Sequence, residues 1–279
     1  METLEELTPG ELSRLEKGQA LSRSVFFNSD RNYGTLKRYG ETGYKVTFIF
    51  NYVEADHTRT HTAKGQAENE TKLENNLARA KARVFELAAC NPWELFVTFT
   101  LDPAKYDRYD LQKYRNDITR YFQHWKERQG DNIRYLLIPE RHADGAWHMH
   151  GFLMGLPTDK LHRFKLSETL PLKIRNRIQQ GKAVYTWQAY ASKFGFADIE
   201  PIENREASAK YISKYVTKDT MRSVTDFGAH IFYASKGLQG AETICKGDMF
   251  AFPEKPSFRS DFCAIQWYKT EEEAKQCFP

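Results

Sequence analysis

Apolar and polar residues alternate with a period of two in several short runs and with a helical period in three longer ones. The first strand-like run is "YKVTFIFNYV" (Tyr44–Val53), rich in β-branched and aromatic side chains. The polar, small-residue stretch from Glu54 to Thr71 reads as a linker or a long exposed loop. In "KLENNLARAKARVFELAAC", Leu73, Leu77, Val84, Leu87 and Ala88 recur on one side, which predicts a helix. From Trp93 the order becomes regular. "WELFVTFTLD" predicts a strand, and "DLQKYRNDITRYFQHWKER" an amphipathic helix carrying Leu111, Tyr114, Ile118, Tyr121 and Trp125. "NIRYLLIPE" and "WHMHGFLMG" predict a hairpin, "FADIEPI" another strand, "ENREASAKYISKYVTKD" a helix and "AHIFYAS" a final strand.

Stripped of insertions, that order is β-α-β-β-α-β. It is the ferredoxin-like (RRM-like) split βαβ arrangement, so an α+β fold with a central antiparallel sheet is expected. The expected organisation is a polar leader at 1–25 and an N-terminal extension of strand, linker and helix at 26–90. The core spans 91–236, with a basic, aromatic insertion at 156–195 between the third and fourth strands, and a C-terminal extension covers 237–279. There is no internal repeat and no G-x-x-x-x-G-K-[ST] motif, hence no sign of a fused ATPase or helicase.

The chain's 279 residues suffice for a substantial core. A formal charge of +4 permits a nucleic-acid partner without demanding one. Cys90, Cys245, Cys263 and Cys277 are scattered, without a C-x-x-C pair, and read as free thiols of a reducing compartment. The start "METLEELTPGELSRLEKG" lacks the apolar segment of a signal peptide, and no apolar run reaches membrane-spanning length. A cytoplasmic location is expected, with no membrane partner.

The chemistry concentrates in the hairpin "PERHADGAWHMHGFLMG". His148 and His150 are two apart on a strand, so both imidazoles project from one face. Whether Glu140 joins them depends on the loop. A two-residue turn at Asp144-Gly145 would set Glu140 opposite Met149 and turn it away. A three-residue loop, Ala143-Asp144-Gly145, with Gly145 left-handed in a bulge, sets Glu140 opposite His148 and Ile138 opposite His150. Two imidazoles and a carboxylate form a metal site in outline, and His142 on the same face is a reserve ligand or supporting partner. Such a set also serves non-haem Fe(II) oxygenases and zinc hydrolases, so the ligands alone do not choose. His57 and His61 have i,i+4 spacing but sit in the polar linker as solvated histidines.

On the late helix, Ala209–Asp219, Tyr211 and Tyr215 share one stripe. Lys210, Lys214 and Lys218 flank them on one side, and Ile212 and Val216 form an apolar stripe on the other. The tandem reads Y-x-x-K twice, "YISK" then "YVTK".

"FTLD", "HMHGF" and "YISKYVTK" resemble, in order and placement, the three motifs of HUH endonucleases, over about Trp93 to Ser235. The resemblance is closest to rolling-circle replication initiators of bacterial phages and plasmids, the group that includes the filamentous-phage nicking protein. The Glu140-to-His148 spacing resembles that of single-stranded DNA virus initiators. The resemblance implies nicking and rejoining of single-stranded DNA at an origin through a 5′-phosphotyrosine. It implies Mg²⁺ or Mn²⁺ on His148, His150 and Glu140, Tyr211 as primary nucleophile, Tyr215 as second nucleophile or structural tyrosine, and Lys214 near the phosphate. Thr98, Thr100, Arg141 and Lys218 are candidate DNA contacts. Asp102 shares the face of the two threonines, and Lys173, Arg175 and Arg177 are further phosphate candidates. Host helicase and polymerase are the implied partners. A non-haem Fe(II) oxygenase would give the tyrosine–lysine helix no role, and a non-catalytic DNA-binding copy-control protein would leave the histidines idle.

Overall fold

The structure is a computed structural model that describes residues 33–50, 70–217, 230–250, 256–260 and 263–279. In chain order they form β1 (Tyr33–Arg38), β2 (Tyr44–Ile49), α1 (Glu70–Ala89), β3 (Leu95–Leu101), α2 (Leu111–Gln129) and β4 (Arg134–Arg141). Next come β5 (Trp147–Met154), β6 (His162–Arg163), α3 (Leu172–Gln179), β7 (Tyr185–Thr186), α4 (Gln188–Lys193) and β8 (Gly195–Pro201). The rest are α5 (Arg205–Ile212), β9 (Tyr233–Ala234), β10 (Glu242–Asp248), β11 (Phe258–Arg259), β12 (Cys263–Tyr268) and α6 (Glu271–Lys275). The expected α+β class is borne out, with two antiparallel sheets. Among the described residues no helix is long and apolar enough to cross a membrane, and all four cysteines are free thiols.

The chain divides into two compact units, residues 1–75 with 240–279, and residues 76–239. In the first, segments from both ends of the sequence share one sheet, ordered β10-β1-β2-β12-β11. Leu36, Val46, Phe48 and Ala264 line its buried side together with Ala274 and Cys277.

The second unit holds a seven-stranded sheet, β6-β7-β8-β3-β5-β4-β9. Its central four strands follow the ferredoxin-like order, with the fourth strand beside the first, then the third, then the second. Along β3, burial alternates strictly. Leu95, Val97, Phe99 and Leu101 face a core shared with Leu111, Tyr114, Ile118 and Phe122 of α2. Helix α2 starts where Asp110 accepts from the Lys113 N–H, and it ends at the left-handed Gly130, whose N–H donates to the Lys126 carbonyl.

The stretch 156–195, read in the sequence as an insertion, also supplies part of this core. Trp187, Tyr190 and Phe194 are fully buried, and Tyr190 stacks on Phe99 with centroids 4.3 Å apart. The helix between the third and fourth strands of the split βαβ is therefore α4. Its six residues are too few to show a helical period. The tyrosine-bearing α5 follows the fourth strand and contacts the opposite face of the sheet.

Helix α5 is shorter than the expected Ala209–Asp219. It ends at Ile212 and passes through a 3-10 turn, Ser213–Tyr215, before Val216 becomes extended. The Ser213 hydroxyl donates to the Ala209 carbonyl, a local bond that competes with helix continuation. The apolar stripe is as expected, since Ile212 and Val216 are fully buried.

Candidate active site

The hairpin between β4 and β5 has the odd-length loop that the candidate site requires. The His142 N–H donates to Ala146 O and the Gly145 N–H to His142 O, both at 2.9 Å, so the loop is Ala143-Asp144-Gly145. Gly145 has φ 85°, a backbone state that glycine adopts at little cost. The register is Glu140 opposite His148 and Ile138 opposite His150, as the parity argument demands.

Side chains then depart from simple cross-strand pairing. The Glu140 carboxylate reaches diagonally, placing Oε2 2.6 Å from His150 Nε2. His142 lies flat on His148, with centroids 3.7 Å apart and planes 10° from parallel. Its Nε2 is 4.0 Å from Glu140 Oε2. On the neighbouring strand, Thr98 pairs with His150 and Thr100 with His148. Thr98 Oγ1 is 3.1 Å from His150 Nδ1 and Thr100 Oγ1 is 3.0 Å from His148 Nδ1.

Both central imidazoles favour the neutral form. Burial is the main cause that pushes His148 down to about 4, helped by His142 and His150. Burial also lowers His150, whose side chain is almost fully enclosed, against the opposing pull of Glu140. Neutral imidazole is the form that ligates metal. Among the described residues, however, no three His, Cys, Asp or Glu side chains close into a cage. The donor chemistry of two neutral imidazoles and a carboxylate suits a divalent cation. Its binding would replace the direct Glu140–His150 bond.

The tyrosines come to the same face. The Tyr215 ring stacks on His150 at 4.1 Å and 16°, and its hydroxyl oxygen is 3.0 Å from that of Tyr211. Tyr211, 46% exposed, meets Phe96 edge-on at 5.6 Å. Lys214 Nζ lies 5.6 Å from the Tyr211 ring centre. Burial, then the bond to Tyr211, raises the Tyr215 phenol above its ordinary range.

Other sequence candidates lie elsewhere. Arg141 is paired with Trp147, whose side chain enters the α2 core, so strand alternation turns it away from the histidines. Asp102 accepts from the Ala104 N–H and shapes the loop after β3. Arg177 is held by Asp198 and Glu200 on β8, an internal ion pair that takes up its charge. Arg175 donates weakly to the Leu166 carbonyl, and Lys210 pairs with Glu206. Lys218, His57 and His61 lie outside the described residues. Phe96, which backs Tyr211, was not singled out in the sequence; its place on the outward face of β3 beside Thr98 was the available signal.

No curated protein and no solved structure matches the chain. A family model for the replication-associated protein ORF2 group matches residues 94–220, the stretch that carries β3, the histidine hairpin and both tyrosines, and over that stretch the chain is similar to replication-associated proteins.

Proposed function

We propose that the protein is a rolling-circle replication initiator of the HUH endonuclease type, which nicks and rejoins single-stranded DNA at an origin. One observation carries the reading. The tandem tyrosines are brought to the H-x-H face, Tyr215 stacked on His150 and bonded to Tyr211, within the span similar to replication-associated proteins.

Tyr211 is the nucleophile, because its hydroxyl stands at the exposed end of the pair. Its oxygen bonds to the scissile phosphorus as the phenol proton departs, the bond to the 3′ oxygen breaks, and that oxygen takes up a proton. One phosphoester replaces another, so rejoining requires no ATP and the nick leaves a 3′-OH primer. Lys214 offsets charge developing at the phosphate. A divalent cation held by His148, His150 and Glu140 would supply Lewis-acid polarisation, and mixed nitrogen and oxygen ligation favours Mn²⁺ over Mg²⁺.

A second reading, a non-catalytic DNA-binding protein, has one observation in its favour. The Glu140–His150 bond occupies two of the three donors with each other. Nicking assays on single-stranded, extruded and relaxed duplex DNA separate the two. The proposal expects metal-dependent cutting of the first two substrates, lost in His148→Ala. Binding without cutting would favour the second reading.

A further inference from the structure

We infer that Thr98 and Thr100 are positioning residues, whose hydroxyls hold His150 and His148 by Nδ1 and present each Nε2 to a bound cation. The inference rests on the metal-site reading above. Antiparallel pairing matches the two threonines to the two histidines one to one, and both contacts are at hydrogen-bond distance. Threonine suits the strand, but so does valine, which has the same shape without the hydroxyl.

The hydroxyl has a property that a carbonyl or carboxylate lacks, because it both donates and accepts. With Nε2–H of His150 donating to Glu140, Nδ1 is bare and Thr98 O–H donates to it. When Nε2 is taken by a metal, the proton sits on Nδ1 and donates to the Thr98 oxygen. One contact therefore fixes the ring in both tautomers, and the ring need not rotate on loading. Thr100 does the same for His148, whose stacking on His142 limits tilt but not rotation within its plane. These threonines were expected from sequence to meet DNA; the geometry assigns them to the histidines instead.

The test is calorimetric titration of Mn²⁺ alone into the full chain without DNA. Thr98→Val and Thr100→Val should each weaken Mn²⁺ binding about 10–100-fold, Thr→Ser at the same positions should restore most of it, and single-stranded DNA affinity without metal should hold. Unchanged Mn²⁺ affinity in the valine variants, with wild-type binding intact, overturns the threonine assignment. So does loss of DNA affinity with Mn²⁺ binding preserved. No Mn²⁺ binding by the wild type overturns the metal site itself, a separate result. A measurement on the wild type covers a valine variant that fails to fold. Imidazole ¹⁵N spectra of the metal-free protein should show His150 fixed as the Nε2–H tautomer, and averaging of its two nitrogens would overturn the assignment.

Discussion

The Tyr215 ring lies flat against the imidazole of His150, centroids 4.1 Å apart. The contact joins the turn after α5 to the centre of β5 and fixes where the phenols stand. It also separates the two tyrosines in character. Tyr215 is half-buried with its phenol raised by burial, while Tyr211 is exposed. Tyr211→Phe should remove the covalent DNA adduct to background, and Tyr215→Phe should slow the first nick without abolishing it. Adduct yields by denaturing gel decide between them. A full adduct in Tyr211→Phe would transfer the role to Tyr215.

Gly151 follows the second histidine, and a Cβ there would overlap the Leu136 carbonyl oxygen on β4. Gly151→Ala should therefore push β4 from β5 and displace Glu140 from the histidines. A loss of about 1–3 kcal/mol is expected from such overpacking, with weaker Mn²⁺ binding alongside. Urea unfolding and metal titration check both. Wild-type behaviour would contradict the packing account.

Arg177 is paired with Asp198 and Glu200, and burial already raises the Asp198 carboxyl despite that cation. Removing the guanidinium strands a largely buried carboxylate. Arg177→Met should cost about 3 kcal/mol, and adding Asp198→Asn should recover part of it. A double-mutant cycle with zero coupling would rule out the pair as the anchor of α3 on the sheet.

In the metal-free protein His148 has a pKa near 4, against 6.5 for an ordinary histidine. As pH falls through 6.5 the unfolded chain gains this proton, whereas the folded protein does not until about 4. The contribution to stability is thus intact above pH 6.5 and declines as pH falls from 6.5 to 4. Imidazole titration by NMR should place His148 well below 6, and His148→Gln should flatten the acid limb of stability. A titration at 6.5 would contradict the burial described for this ring.

Much of this was legible in the sequence. The hairpin register followed from strand parity and the left-handed tendency of Gly145. The apolar stripe of Ile212 and Val216 was also readable from spacing alone. Side-chain pairing was less so. Parity puts Glu140 opposite His148, yet its flexible side chain reaches His150. Period reasoning failed where elements are short. The six-residue α4 was absorbed into an insertion, and α5 was drawn past Ile212 because a 3-10 turn keeps Tyr211 and Tyr215 adjacent. The union of β1 and β2 with β10 and β12 depends on pairing between opposite ends of the chain, which local pattern does not encode.

The most direct test of the account is incubation with single-stranded oligonucleotides labelled at the 5′ or the 3′ end, plus Mn²⁺, resolved on a denaturing protein gel. The account predicts a protein band carrying label only from 3′-labelled DNA, because the tyrosine retains the 5′-phosphate of the downstream fragment. No labelled band, in a protein that binds Mn²⁺ and single-stranded DNA, would contradict it.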